Sequence, residues 1–480
     1  MKIVKKIVWT MSMIFCALMM TPAISMAAES NAAEELGNSL SLWYCIPFAG
    51  MLLCIAVCPL VIGELWEKYK HVAVIFWSLA FLVPFAINCG TSETVEQLLE
   101  VIFGDYITFI VLLFGLFCVA GNIALEGDLA GTPKVNVVML LIGTLLSSWV
   151  GTTGASMLMI RPLIRANKWR KRKVQIVVFF IFLVSNIGGC LTPVGDPPLL
   201  MGFMNGVDFF WSINLLPVFI INVILLLIVF FLVDSGAYKR DIAEGLKPEV
   251  KEKNVPIHLV GAKNIVFLVT IVGAVILSGI LPKMVPFFEG QIKIYGEVTF
   301  SYAAVLEVVI ILAAALLSFK TTDKQVRDDN HFTWDAIKEV AVLFIGIFIT
   351  MIPALLILSV KGSDLGISKY WQFFWITGIL SSFLDNTPTY LVFFKTAVSL
   401  GITDGIQVTG GYIPKVMLMA ISCGAVFMGA VTYIGNAPNF MVRSIAEENG
   451  IKMPSFFGYM LWSIGCLMPI FLIDMLIFFM

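Results

Sequence analysis

Charged residues are scarce in this sequence and make up only 13% of its 480 residues, whereas soluble domains carry about 25%. Apolar residues reach 59%, above the roughly 45–50% that is usual for soluble domains. This balance excludes an ordinary soluble protein and predicts a polytopic membrane protein whose immediate partner is membrane lipid. The net charge of −1 points to no acidic or basic partner, and no nucleic-acid partner is expected.

Motifs of enzymes and of metal sites are missing as well. The sequence contains no HExxH, no GxSxG and no P-loop motif. The residues before Gly195-Asp196 lack the GxGD form of an intramembrane aspartyl protease. The nine cysteines show neither zinc-site spacing nor a disulfide framework, so we interpret them as small apolar packing residues. We therefore predict neither an enzyme nor a bound cofactor.

The N-terminus has the form of a secretory signal over residues 1–27. Three lysines precede an apolar stretch at residues 7–20, and Ser25-Met26-Ala27 offers a cleavage site of small residues. An uncleaved first helix is the alternative. In either case the following residues begin outside the cytoplasm, which predicts a bacterial inner-membrane protein with a periplasmic mature N-terminus.

Membrane spans need about 20 apolar residues, and ten stretches of the sequence qualify. Two further apolar segments, residues 135–160 and 371–398, carry polar residues in their middles and are interpreted as re-entrant hairpins. With both excluded from the count, the dense basic cluster at residues 161–173 lies in the cytoplasm, as the positive-inside rule requires. The ten predicted spans are residues 42–63, 72–87, 107–125, 174–204, 211–233, 265–281, 300–319, 340–360, 416–442 and 456–480.

Two of these spans contain residues that break helices. The span at residues 174–204 includes SNIGGCLTPVGDPPLLM, and the span at residues 416–442 includes MGAVTYIGNAPNFM. Glycine loosens a helix and proline removes a backbone donor. Because lipid cannot satisfy the freed backbone groups, irregular backbone is tolerated only against protein or a water-filled cavity.

The broken segments recur in order, which indicates a duplication. Residues 147–153 match residues 381–387 at an offset of 234, and residues 189–201 match residues 429–441 at an offset of 240. The polar loop at residues 234–264 separates the two copies and is interpreted as a cytoplasmic linker.

The predicted fold is therefore an all-α polytopic membrane protein with two repeats, residues 42–233 and 265–480. Each repeat has five transmembrane helices plus a re-entrant hairpin, and the odd number of spans inverts the second repeat relative to the first. Discontinuous helices would meet at the membrane midplane, which is a plan typical of secondary transporters.

Asp196 and Asp385 are the foremost candidates for chemistry, because a charge at membrane depth is costly and marks ion or proton paths. Each also has a structural interpretation, Asp385 as a helix cap and Asp196 as a turn residue before two prolines. Two carboxylates could hold a hard cation such as sodium through their oxygens, or take protons. Glu307 is a weaker candidate for a proton path, with snorkelling toward the outer surface as the alternative.

Neutral oxygens on the hairpins and broken helices would complete a cation shell, although a single Ser or Thr here could equally make a helix-packing contact. The candidate ion-binding residues are Thr152, Thr153, Ser185, Asn186, Thr192, Gly195, Asn386, Thr387, Thr432, Gly435 and Asn436.

The motifs SNIGGCLTPVGDPPLL, SSFLDNTPTYLVF and TYIGNAPNF resemble the ion transporter superfamily. Its branches include NhaD-type sodium/proton antiporters, arsenite carriers, and citrate and dicarboxylate cotransporters. The stretch GTTGASMLMIRPL resembles a bacterial branch labelled either citrate transporter or sodium:proton antiporter. The resemblance implies two hairpins opposed to two unwound helices, a cation site in each half, and a homodimer.

The hairpin tips decide between the branches. In cotransporter members a Ser-Asn-Thr signature contacts sodium and the substrate carboxylate, whereas the tips here read Gly151-Thr152-Thr153 and Asp385-Asn386-Thr387. Asp385 would repel an anionic substrate, and no Lys or Arg stands among the motifs to offset it. The leading hypothesis is therefore an antiporter that exchanges sodium for protons. The alternatives are a sodium-coupled citrate or dicarboxylate symporter and a non-transporting membrane scaffold or receptor.

Overall fold

The structure is a computed structural model that describes residues 35–127, 129–247, 258–330 and 332–480. The predicted signal peptide at residues 1–27 lies outside the described residues, as does part of the predicted linker, at residues 248–257.

Helices dominate the described chain. Up to the linker they are α1 Ile46–Val61, α2 Gly63–Cys89, α3 Thr91–Glu100, α4 Ile107–Ala120, α5 Pro133–Val150, α6 Thr152–Ala166, α7 Val174–Leu183, α8 Pro197–Met204 and α9 Leu216–Ala243. After it they are α10 Asn264–Met284, α11 Tyr302–Thr321, α12 Lys324–Asp329, α13 Asp335–Lys361, α14 Tyr370–Ser381, α15 Asn386–Ser399, α16 Lys415–Met428, α17 Ala437–Glu448, α18 Phe456–Cys466 and α19 Met468–Asp474.

Short 3-10 and π segments connect several of these helices. The 3-10 helices are Leu42–Cys45, Ile187–Leu191, Phe209–Leu215, Pro286–Glu289, Gly362–Leu365 and Gly429–Val431. The π-helical segments are Val101–Tyr106, which leads into α4, and Met475–Phe479, which follows α19.

The prediction of an all-α chain needs a small correction. The chain is 77% helical, but six short strands pair into three antiparallel two-stranded sheets. The pairs are β1 Ala124–Glu126 with β2 His258–Val260, β3 Gln291–Tyr295 with β4 Val298–Ser301, and β5 Ile406–Val408 with β6 Gly411–Ile413. All six lie in connections between helices, where strand pairing satisfies backbone groups that no helix provides for. The second and third pairs are local hairpins, whereas β1 and β2 lie far apart in the sequence.

The protein is a polytopic membrane protein. Nine helices of the described ranges are long and apolar enough to span a membrane, or ten if the bent pair α18–α19 with its π-helical extension counts as one span. Ten spans were predicted as well, but the segments that qualify are not all the predicted ones. Pro133–Val150 qualifies although it was assigned to a hairpin, and Lys415–Val431 is too short although it was counted as a span. Apolar length alone therefore does not separate hairpin arms from spans in this chain.

The two broken helices interrupt their backbone in the same way. After α7, a 3-10 turn leads to Thr192 and Asp196, both extended, and α8 starts with two prolines. After α16, a 3-10 turn leads to extended Thr432 and Asn436, and α17 has Pro438 in its first turn. Proline suits these starts because the first turn of a helix needs no donor from it.

The first broken helix lies at the centre of the molecule. Of the 18 residues Val174–Leu191, 89% are buried, whereas only 22% are buried in the most apolar stretch of α2. The helix pairs α5–α6 and α14–α15 pack beside the two broken helices. In the first pair, Gly151 alone separates the two helices, and its φ of +78° is a conformation that favours glycine.

A buried ionic cluster holds the base of α5 and α6 against α7 and α9. The guanidinium of Arg170 contacts Asp234 at 2.8 Å and Asp241 at 3.4 Å, and all three side chains are fully buried. Asp234 also accepts hydrogen bonds from Asn136 at 3.0 Å and from Gln175 at 2.8 Å. The basic cluster used above to orient the chain therefore contains one arginine that is an interior residue rather than a surface charge.

We expect Asp234→Ala to destabilise the protein by about 3–5 kcal/mol, because removing one partner of a buried pair leaves the other charge without full compensation. The apparent melting temperature in detergent should fall markedly. Lys171→Ala serves as the control, since Lys171 is 67% exposed in its ion pair with Glu244 and exposed pairs add little. Equal melting temperatures for the two variants would contradict this account.

Candidate site at the crossing of four chain breaks

Asp196 lies where four interruptions of the helices meet. These four breaks are the tips of the helix pairs α5–α6 and α14–α15, at Gly151 and Asp385, and the unwound segments of the two broken helices. Its Oδ1 accepts a hydrogen bond from the Thr152 hydroxyl at 3.0 Å and one from the Asn436 amide at 3.3 Å. Its Oδ2 accepts one from the Asn386 amide at 2.7 Å. Asp196 is only 1% exposed. One carboxylate thus connects the first broken helix with the start of α6, the start of α15 and the second broken helix.

The backbone aims this carboxylate away from its own helix. Asp196 precedes α8 in an extended conformation, and its side chain does not cap that helix. The carbonyl of the preceding residue, Gly195, accepts a hydrogen bond from the Thr152 N–H at 2.9 Å. This bond ties the first broken helix to the start of α6 and leaves the Asp196 side chain free to reach the second half of the chain.

Serine and threonine side chains brace both breaks in a matching pattern. In the first half, the Ser148 hydroxyl donates to the carbonyl of Gly188 and the Thr192 hydroxyl donates to the carbonyl of Ser148. In the second half, Ser382 donates to the carbonyl of Met428 at 2.9 Å, and Thr432 donates to the carbonyl of Ser382. These bonds satisfy carbonyls that the interrupted helices leave without a partner.

Two glycines, Gly195 and Gly435, allow the unwound segment of each broken helix to fold back tightly on itself. A Cβ on Gly195 would lie 2.3 Å from the carbonyl oxygen of Gly189, and a Cβ on Gly435 would lie 2.5 Å from that of Gly429. Both distances are too short for any side chain. Gly195 and Gly435 therefore serve to pack backbone against backbone.

A chain of buried asparagines joins the two breaks behind Asp196. The Asn436 amide donates to Asn186 Oδ1 at 3.2 Å and to the Ser185 carbonyl at 3.1 Å. Asn186 donates to Asn439 Oδ1 at 2.7 Å, and Asn439 donates to the carbonyls of Gly429 and Thr432. Ser185 also bonds through its hydroxyl to Ser156 at 2.9 Å. Among the described residues, this network contains no positive charge.

Asp385 has a different environment from Asp196. It is half-buried, and its Oδ1 accepts from the Thr387 N–H at 3.0 Å, so it caps α15. The hydroxyl of Thr387 points to Asn386 Oδ1 at 3.4 Å. The helix-cap interpretation of Asp385 thus describes its contacts, and the neighbouring Asn386 makes the contact with Asp196.

An open cavity of about 360 Å³ borders this crossing. Thr152, Thr153, Gly195, Asp385, Asn386 and Asn436 line it, whereas Asp196 lies behind the wall. Glu67, Asp335 and Glu339 stand on it too, and no Lys or Arg is among the lining residues. Lys70 lies nearby, within 2.8 Å of Glu67 and 2.9 Å of Glu339. Lys338 lies 3.5 Å from Asp335. Asp385 is therefore the one lining carboxylate without a lysine partner in the described part of the chain.

The predicted site residues fall into three groups. Asp196 gathers Thr152, Asn386 and Asn436 around it, while Asp385 and Thr153 line the same cavity. The residues that brace or join the breaks are Ser185, Asn186, Thr192, Gly195, Thr387, Thr432 and Gly435. Glu307 does not join them, because it lines a separate cavity.

Sequence reasoning missed a further intramembrane carboxylate, Asp474. It is fully buried near the end of the chain and accepts a hydrogen bond from the Asn222 amide at 2.7 Å. The pair links α9 with α19. The sequence could have pointed to Asp474, because it is an acidic residue inside an apolar run. Such residues are rare in membrane segments and usually have a partner.

Comparison with known families gives a match over nearly the whole chain. The family described as “Putative citrate transport” matches the chain over residues 37–479. A search of curated proteins finds no match to this chain. The family match covers every element that builds the site, and it confirms the resemblance to a superfamily with a citrate transporter branch.

Proposed function

The chain belongs to the family described as “Putative citrate transport”, and on this premise we propose that it is a secondary active antiporter that exchanges sodium for protons. The proposal rests on the charge of the site. Asp385 lines the central cavity and Asp196 lies behind its wall, and neither forms an ion pair with a Lys or Arg of the described residues. No Lys or Arg lines the cavity, and the other three lining carboxylates are paired with Lys70 or Lys338. Such a site attracts a monovalent cation and repels a di- or tricarboxylate.

The residues around Asp196 can serve two charge states of the site. Asn386 and Asn436 now donate their amide nitrogens to the carboxylate. Asn386 also carries a carbonyl oxygen, so rotation of its amide by half a turn would present an acceptor to a cation instead. The amide nitrogen of Asn436 also donates to Ser185 and Asn186, which holds it in its present orientation. Together with the Asp196 carboxylate and the Thr152 hydroxyl, the Asn386 oxygen would contribute to a shell of the kind that hard cations prefer.

Exchange then follows from competition for one negative charge. A sodium ion bound at Asp196, with Asp385 at the cavity wall as a second oxygen source, neutralises the carboxylate. A proton on Asp196 neutralises it equally well, and the site cannot hold both. If only the loaded site can change its access to the two membrane faces, each sodium ion that leaves must be replaced by a proton.

The proposed architecture has two inverted repeats, residues 42–233 and 265–480, joined by a cytoplasmic linker. The first repeat carries a hairpin at residues 135–160, and the second at residues 371–398. The matching braces of Ser148 and Ser382 support this relation. By the positive-inside rule, the central cavity opens toward the cytoplasm, in a homodimer in a bacterial inner membrane.

A sodium-coupled citrate or dicarboxylate symporter is the second candidate. The family description favours it, and a cavity of about 360 Å³ falls in the range of roughly 300–1,000 Å³ that small-molecule sites occupy. In this case Asp385 would have to be protonated or bridged by sodium, because its charge faces the cavity.

Proteoliposomes containing the purified protein distinguish these functions. We expect an outward sodium gradient to acidify the lumen, as sodium leaves and protons enter, and we expect no accumulation of labelled citrate or succinate. Vesicles without protein and vesicles with a sodium ionophore are the controls. Sodium-dependent citrate uptake without proton movement would overturn the antiport proposal. Movement of neither ion nor substrate would favour a non-transporting scaffold or receptor.

A further inference from the structure

A second cavity, of about 340 Å³, lies apart from the central one. It is bounded by α4, α10 and α11 and by the segment that follows α8. Its polar lining consists of the hydroxyls of Thr108, Ser278 and Ser301 together with Glu307, Asp208 and Lys283.

Glu307 is the deepest charged group of this cavity. The residue is 4% exposed, and its Oε1 is buried without a hydrogen-bond partner in the described part of the chain. The Ser278 hydroxyl interacts with the carboxylate. A buried carboxylate with an unpaired oxygen is costly, and a single positive charge placed at that oxygen would remove the cost.

The other charged groups lie nearer the surface. Asp208 and Lys283 are both exposed, and the Asp208 carboxylate is occupied by the Phe210 N–H at 2.9 Å. Asp105, next to the lining residue Gly104, interacts electrostatically with Lys395. These groups leave Glu307 as the carboxylate that faces the interior of the cavity.

The residues that line the two cavities lie near opposite ends of α11. Ser301, at the start of α11, lines the second cavity. Phe319, near its end, packs against Trp334 with ring centroids 5.5 Å apart, and the following Asp335 lines the central cavity. A helix of 20 residues is about 30 Å long, so its two ends are separated by roughly the thickness of the hydrocarbon core of a membrane.

From this geometry we propose that the Glu307 cavity is a second site for one positive charge, reached from the membrane face opposite to the central cavity. The ligand is a proton or a sodium ion held at Glu307 Oε1, with Thr108, Ser278 and Ser301 as neutral oxygens around it. The site goes beyond the proposed function, because it needs neither Asp196 nor Asp385 and would exist whichever substrate the central cavity carries.

Chemical labelling of the wild-type protein tests the site. Dicyclohexylcarbodiimide reacts with protonated carboxyl groups in apolar surroundings, and peptide mass mapping locates the adduct. We expect an adduct at Glu307 at acidic pH that disappears as the pH rises. Glu289, exposed on the same face, is the internal control and should carry no stable adduct. Absence of the Glu307 adduct at every pH, or equal labelling at every pH, would overturn the proposal.

Sodium distinguishes the two ligands. If the site takes sodium, sodium chloride at constant pH should suppress labelling of Glu307 several-fold relative to choline chloride. If it takes only protons, the two salts should give the same labelling. As a second measurement, Glu307→Gln should remove one carboxyl group from the pH-dependent infrared difference spectrum, whereas Glu289→Gln should not change the buried-carboxyl band. An unchanged band in Glu307→Gln would again overturn the proposal.

The result of the Glu307 labelling test can be separated from the result of the exchange test of the central site. Asp385→Asn should leave Glu307 labelling unchanged, since the two residues line different cavities. Absence of sodium/proton exchange by the wild-type protein in proteoliposomes, together with intact pH-dependent labelling of Glu307, would therefore refute the antiport proposal alone.

Discussion

Asp196→Asn is expected to abolish sodium/proton exchange while leaving the protein folded. The substitution keeps the shape of the side chain but removes the charge that three side-chain donors now face. At 4 Å and an effective dielectric constant of about 20, the attraction between two unit charges is about 4 kcal/mol. Loss of this term corresponds to roughly a 1,000-fold weaker cation affinity. Exchange measured in proteoliposomes should fall below detection.

A neutral side chain at this position also has too many donors around it. In Asp196→Asn, the one remaining side-chain oxygen can accept from Thr152 or Asn436, but the new amide nitrogen would face a second donor amide unless that neighbour rotates. Asn386 can rotate, because it carries its own carbonyl oxygen and its amide nitrogen donates to Asp196. We therefore expect a melting temperature in detergent close to that of the wild type, which separates loss of transport from loss of folding.

Two matched substitutions complete this test. Asp385→Asn should weaken exchange without unfolding α15, because asparagine caps helices about as well as aspartate does. Asp364→Asn, at an exposed position, should leave exchange unchanged. Wild-type exchange in Asp196→Asn would refute the proposed role of the carboxylate, whatever the behaviour of the other two variants.

Gly195→Ala and Gly435→Ala form the second test, and both are expected to disrupt the crossing. The added Cβ would lie 2.3 Å from Gly189 O in the first variant and 2.5 Å from Gly429 O in the second. These atoms belong to backbone that cannot rotate away. Overpacking usually costs about 1–3 kcal/mol and sometimes more, and clashes with backbone belong at the upper end. Expression yield and melting temperature should both fall.

Gly273→Ala is the control for these variants. Gly273 lies within α10, and a Cβ there would meet nothing within 4 Å. Because alanine favours a helix over glycine by about 0.5–1 kcal/mol, this variant should be as stable as the wild type or slightly more stable. If Gly195→Ala and Gly435→Ala matched Gly273→Ala in stability and transport, the close backbone packing within the two unwound segments would not be required.

Several features of the site followed from the sequence because they depend on local chemistry. A cluster of prolines and glycines together with polar residues favours an interruption of a helix, so the unwound turns at Gly189 and Gly429 were placed near their observed positions. The offset between the repeats paired Ser148 with Ser382 and Thr192 with Thr432, and the structure gives the members of each pair the same kind of contact.

Other features depend on side-chain direction and were not predictable from the sequence. Asp196 and Asp385 were expected to share one site, as an asymmetric pair with one carboxylate on a broken helix and the other on a hairpin. In the structure Asp385 caps its own helix, and the next residue, Asn386, reaches Asp196. Successive side chains of a helix point in directions about 100° apart. The sequence pattern alone does not show at which residue the helix starts, so it does not show which of the two side chains points at Asp196.

The sequence by itself determined the polytopic membrane class, the breaks in the helices and the acidic residues available at membrane depth, because composition and backbone chemistry act locally. Only the tertiary structure decided that Asp196 would receive hydrogen bonds from three other breaks and that Glu307 would lie in a separate cavity. The physical reason is that these contacts join residues up to 240 positions apart. They arise from how helices pack, and no local pattern encodes that packing.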